Sequence, residues 1–116
     1  EVIVEEIIEN LKKRELLNDK EFAKWFIKLR LNQGKKSRLK TKQDLIQKGV
    51  KEADYIEHLE TIYTDPKENQ ILEKLVEKKL KLLDTKDLTK QEKEEKVKQY
   101  LIRKGFLWDS IKNIKI

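Results

Sequence analysis

The chain has 116 residues, 43% of them charged and 37% apolar, and its 28 Lys/Arg outnumber 22 Asp/Glu for a net charge of +6. Cysteine is absent and there are only three glycines and one proline, which excludes a disulfide framework or thiolate metal site and disfavours turn-rich sandwiches and barrels. There is no signal-like leader and no long apolar run, so we expect neither export nor a membrane span and read a cytoplasmic, monomeric, all-α protein.

The chain opens at Glu1 without a methionine, and we expect a piece of a longer or processed protein. Residues 2–14 carry Val2, Ile3, Ile7, Ile8 and Leu11 at helical spacing and predict a leading helix. Asn18 or Asp19 can cap a second helix to Gln33, with Phe22, Phe26 and Leu29 on one face and Gly34 as its stop. After a short loop over Lys35–Ser37, a third helix is expected over 38–48, closed by Gly49 in the left-handed position. A fourth, over 51–63, would bury Ile56, Leu59 and Ile62 or Tyr63. Asp65, Pro66 and Glu68 suit the N-cap, first and third positions of a fifth helix to Leu83. Thr89 and Glu92 form a second capping-box pattern for a helix ending at Lys104 before Gly105, and a short helix over 108–114 closes the chain. The residues expected in the core are Phe22, Phe26, Leu45, Ile56, Leu101, Phe106 and Ile111.

One phrase occurs twice. KQDLIQKGV begins at residue 42 and KQYLIRKGF at residue 98, an offset of 56 residues (98 minus 42). Both copies end a middle helix on a glycine. The order is therefore one leading helix followed by two three-helix units: 1–17 as the last helix of a preceding repeat, then 18–63 and 64–116. Units this small cannot bury a core alone and must pack together in an elongated array.

Charge is sorted along the chain. Residues 20–48 carry ten Lys/Arg against two Asp/Glu, whereas residues 49–66 carry one against five. Lys20, Lys24 and Lys28 recur every four residues along one helical stripe. Lys35, Lys36, Arg38, Lys40 and Lys42 continue the block, which suits phosphate contacts or an acidic protein surface. The bland alternative is a solvated lysine face. Helix–glycine–helix is also the outline of a helix-turn-helix DNA reader, whose second helix enters the major groove. Here that helix would carry Glu52, Asp54, Glu57 and Glu60, which phosphates would repel. The equivalent 108–114 has Lys112 and Asn113.

Catalytic chemistry is missing. His58, the only histidine, lies among glutamates without a nucleophile pattern and reads as a surface residue. The adjacent pairs Glu94–Glu95 and Glu5–Glu6 diverge on a helix. There is no phosphate-binding Gly-rich loop. Trp25 and Trp108 could stack on bases, but beside other apolar residues at helical spacing the favoured reading is core or inter-unit packing. No cofactor, metal or enzymatic role is expected.

The stretch Asp19-Lys20-Glu21-Phe22-Ala23, then Phe26, Arg30 and Gly34-Lys35, then Leu45 and Lys48-Gly49-Val50, resembles the second repeat of RecX proteins. Tyr100-Leu101 with Arg103-Lys104-Gly105-Phe106 resembles the end of their third repeat. The family often has Gly-x-Gly-Pro before the middle helix where this chain has Gly34-Lys35-Lys36-Ser37, and Trp25 stands where a small residue is common. The resemblance implies tandem three-helix repeats and a non-enzymatic modulator, usually an inhibitor, of the RecA recombinase. Such proteins lie in the groove of the RecA–DNA filament and bridge protomers. The partner so implied is the RecA–DNA nucleoprotein filament, with single- or double-stranded DNA as a further partner. The candidate partner- or DNA-binding residues are Lys20, Lys24, Lys28, Arg30, Lys35, Lys36, Arg38, Lys40, Lys42, Lys48, Arg103 and Lys104. The rival readings are a stand-alone nucleic-acid binder that contacts phosphates without sequence preference, and a helical scaffold.

Overall fold

Helix ends leave backbone groups without partners, so the capping residues fix where each element begins and stops. In the computed structural model, which describes residues 2–112 and 114, seven helices and no strand form among the described residues. The leading helix α1 (Val2–Lys13) precedes α2 (Asp19–Gln33), which opens where the Asn18 side chain accepts the Glu21 amide at 2.8 Å. It stops at Gly34, whose φ of 62° lets its amide donate back to the Arg30 carbonyl.

The repeated phrase closes α3 (Arg38–Gln47) and α6 (Lys90–Arg103) in the same way. Gly49 and Gly105 take φ of 82° and 93°. Their amides return to Ile46 and Ile102, and the next amides, Val50 and Phe106, return to Leu45 and Leu101. This is the paired bond pattern of a Schellman turn, and the apolar contact that accompanies it falls on Leu45 with Val50 and on Leu101 with Phe106, all buried. The two N-caps, Ser37 and Thr89, are only 52 residues apart (89 minus 37), because α6 has 14 residues and α3 has 10. The second middle helix is thus one turn longer at its start. Thr89 and Glu92 make the expected reciprocal capping box.

The junction between the units differs from expectation. The fifth helix, α5 (Asp65–Leu83), has Thr64, not Asp65, at its N-cap position, without a side-chain capping bond. Glu68 does not reach back to its own cap. Its Oε2 accepts the Arg38 amide at 2.6 Å and so satisfies an orphan donor in the first turn of α3, 30 residues away. In α4 (Glu52–Ile62) the buried stripe is Tyr55 and Leu59, continued by Tyr63, and Ile56 is only half-buried. Leu59 and Tyr63 are buried as expected, and only Ile56 departs, with Tyr55 taking its place inside. The other six expected core residues are buried. The last helix, α7 (Trp108–Ile111), ends before Ile114, and Asn113 lies outside the described residues.

In the first set α2 packs chiefly on α4 and on α1, and in the second α5 packs on α6. The core therefore runs the length of the molecule. The radius of gyration is 16.4 Å and the extents are 53 × 27 × 20 Å. A compact chain of this length would have a radius of gyration of about 13 Å. The array is elongated.

Candidate nucleic-acid interface

On α2 the buried residues are Phe22, Ala23, Phe26, Ile27 and Arg30. At roughly 100° per residue their centre lies about 130° around the helix from Trp25. Trp25 is accordingly 49% exposed, and Trp108 is 54% exposed. Neither is the core or inter-unit packing residue expected. The Phe22–Phe26 spacing together with Ala23 and Ile27 already carried that information.

The candidate cations fall into two groups. Lys20, Lys24, Lys28 and Lys35 are exposed and make no ion pair among the described residues. Arg103 is also exposed. The half-buried Lys104 lies 5.5 Å from the centre of the Tyr100 ring. The others, Lys42 apart, are held internally. Arg30 is 6% exposed. Its guanidinium stacks 4.6 Å from the Phe26 ring and pairs with Asp44 at 3.2 Å and Glu5 at 3.5 Å. It is a buried structural cation, because a charge inside the fold must find carboxylates there.

Asp44 also gathers Lys36 and Lys40 at 3.6 and 3.5 Å. Arg38 bonds the Tyr63 carbonyl at 3.1 Å and Asp65 at 2.6 Å, which locks the start of α3 to the α4–α5 corner. Lys48 pairs with Glu9 of α1. Lys42 lines a cleft of about 350 Å³ between the two sets, opposite Glu60 and Glu68.

The fold adds two cations that linear charge counting missed. A cleft of about 530 Å³ separates the end of α2 from the first half of α5. Its floor is Leu31 and Ile71. Lys28 stands on the α2 side, Lys67 and Lys74 on the α5 side, with Asn32, Gln33 and Gln70 between them and no carboxylate in the lining. Residues 67–97 are nearly neutral in sum, so nothing in the composition of that segment marked Lys67 and Lys74. Their spacing of seven puts both on one side of α5.

The carboxylates Glu52, Glu57 and Glu60 are exposed on α4, whose other face is packed on α2. His58 is half-exposed on the same helix. No group of three potential metal-ligating His, Asp or Glu side chains is gathered among the described residues, and no helix there is long and apolar enough to cross a membrane.

Fold and surface together define a tandem helical-repeat protein with one lysine-rich side and one acidic helix. Family models for RecX match in two places, the second three-helix domain over residues 18–56 and the third over residues 67–114. The regulatory protein RecX of Clostridium perfringens strain 13 is 37% identical over 111 residues, covering 96% of this chain and 51% of the relative. That of Streptococcus sanguinis is 34% identical over 110 residues, covering 95% and 41%. A crystal structure of regulatory protein RecX superposes with a TM-score of 0.72 at 28% identity, covering 98% of this chain and 57% of that one. The chain belongs to the RecX family. It spans about half the length of the curated relatives it matches.

Proposed function

We propose that this chain modulates the RecA recombinase, as an inhibitor, by lying along the groove of the RecA–DNA filament in the bacterial cytoplasm. In this reading residues 1–17 end a preceding repeat, and 18–63 and 64–116 are two repeats that bridge neighbouring protomers. The observation that carries it is the separation of charge on an array 53 Å long. Lys20, Lys24, Lys28 and Lys35 are exposed on one element and its loop, and Glu52, Glu57 and Glu60 on another. A filament groove offers both DNA phosphate and protein charge, so a surface bearing both signs on separate helices fits it better than a uniform polyanion.

The test compares binding to RecA-coated single-stranded DNA with binding to naked DNA. Reversing Lys20, Lys24, Lys28 and Lys35 to Glu is expected to weaken filament binding and inhibition. The loss should shrink as salt rises, since exposed charges are screened over about 8–10 Å at physiological ionic strength. Arg38 is left intact because it is structural. Reversing Glu52, Glu57 and Glu60 to Lys is expected to raise naked-DNA binding and lower filament binding. Unchanged inhibition by both folded variants would reject the proposal.

A further inference from the structure

We propose that α2 and α5 form a platform for a single strand of nucleic acid, with a base stacked on Trp25 and the adjoining phosphates in the Lys28–Lys67–Lys74 cleft. The exposed indole is the first observation. A large aromatic facing solvent forgoes the burial that would stabilise it, and Trp25 is not needed by the core beneath it. Its surroundings are the second. Lys28 Nζ lies 5.0 Å from the ring centre and Lys28 also lines the cleft, so one lysine joins the stacking surface to the phosphate-sized channel. On the helix, Asn32 follows Trp25 by seven residues and Lys28 by four, which carries the same stripe into the cleft. Glu21, one turn before Trp25, is the carboxylate on this stripe and stands at the end away from the cleft.

Charge complementarity selects the occupant. The cleft lining offers three cations and three amides and no acid, which attracts a polyanion. An exposed ring beside such a channel is the combination that holds unpaired strands, because every base has a face to stack while a duplex hides its faces. Trp108 supplies the internal contrast. It is as exposed as Trp25 and Lys98 lies 5.7 Å from its ring, but Glu94 and Glu95 share its cleft. The proposal adds a direct strand contact to the filament reading, and naked strand tests it without the recombinase.

The experiment uses the full chain carrying Trp108→Phe, so that Trp25 is the sole tryptophan emitter. The probes are a 20-nucleotide oligothymidylate, a blunt duplex of equal length and inorganic polyphosphate, which carries phosphates without bases. Oligothymidylate is expected to quench Trp25, to bind more tightly than the duplex, and to be competed by polyphosphate, which itself leaves the emission unchanged. Trp25→Ala should lower oligothymidylate affinity about tenfold and leave polyphosphate affinity unaltered. Lys67→Ala with Lys74→Ala should lower both and reduce the slope of log affinity against log salt by about 1.4. All these side chains are exposed, and circular dichroism checks that each variant folds. Absence of strand binding, binding without a change in Trp25 emission, an unaltered Trp25→Ala affinity, or a duplex bound at least as tightly would each overturn the proposal.

Discussion

The Ser37 hydroxyl donates to the Gly105 carbonyl at 2.6 Å while it accepts the Lys40 amide at 3.0 Å. One side chain therefore caps α3 and ties the glycine turn of the second set to the first, 68 residues away. A Cβ on Gly105 would meet Ser37 Oγ at 2.7 Å and Lys40 Cβ at 2.8 Å, whereas one on Gly49 would meet nothing within 4 Å.

The two glycines should therefore differ when replaced, although they stand at matching positions of the repeated phrase. Gly49→Ala is expected to cost about 1–2 kcal/mol for the left-handed backbone alone. Gly105→Ala adds an overpacking cost of about 1–3 kcal/mol at the contact between the two sets. Urea denaturation of both variants measures the difference, and equal losses would show that the Ser37 contact carries no strain.

Ser37→Ala removes a cap and leaves the Gly105 carbonyl without its donor. The expected loss is about 1–3 kcal/mol. Ser37→Gly, a tolerated N-cap that still lacks the bond to Gly105, should recover only the capping part of the loss, which separates the two roles of the hydroxyl.

Asp44 and Arg30 form a buried pair, and removing Asp44 leaves the buried guanidinium with only the longer contact to Glu5. Asp44→Ala is expected to cost about 3–5 kcal/mol. Replacing both, Arg30→Met with Asp44→Leu, should recover much of that loss, because it removes the buried charge altogether. A double-mutant cycle by chemical denaturation reads the coupling directly.

Tyr63 gives a pH signature. Its hydroxyl is buried and donates to the Lys36 carbonyl at 2.5 Å. Burial, reinforced by nearby Glu68 and opposed by Arg38, raises its pKa well above the ordinary tyrosine range. The folded chain keeps this proton longer than the unfolded chain. The Tyr63 contribution is thus complete below about pH 10 and declines as pH rises beyond it. The stability difference between the parent chain and Tyr63→Phe should shrink from pH 9 to pH 11.

Glu15 ends α1 in the left-handed conformation at φ 59°, the one non-glycine with positive φ among the described residues. Its turn repeats the bond pattern of the glycine-closed helices, with the Leu16 amide returning to Leu11 and the Glu15 amide to Lys12. Glu15→Gly is expected to stabilise the chain by about 0.5–1 kcal/mol, the relief of Cβ strain less the added freedom of the unfolded chain. A rise in the denaturation midpoint at unchanged slope checks it.

Much of the fold was legible along the chain because its signals are local. Asn18, Ser37 and Thr89 cap through bonds to residues three positions on, and three glycines mark left-handed turns. The recurrence of KQDLIQKGV as KQYLIRKGF located two Schellman turns before any contact was known. The extra turn at the start of α6 was not legible, because the repeated phrase covers only the end of that helix. On α4, Leu59 and Tyr63 were legible, but Tyr55 was passed over for Ile56 because both are large and adjacent, and only packing against α2 decides which faces inward.

The sequence by itself determined an all-α repeat with a lysine-rich block between residues 20 and 48, since periodicity, caps and charge are properties of neighbours in the chain. It could not assign the cations. Arg30 became a buried structural cation because Glu5 and Asp44, 25 residues before it and 14 after it, converge on its guanidinium. Arg38 became a corner clamp because α5 starts beside it. Lys67 and Lys74 joined Lys28 across a cleft because the first half of α5 faces the end of α2 across it. Whether a lysine or arginine faces solvent or a carboxylate depends on what packs above it, and that is set by tertiary contacts between residues far apart in sequence.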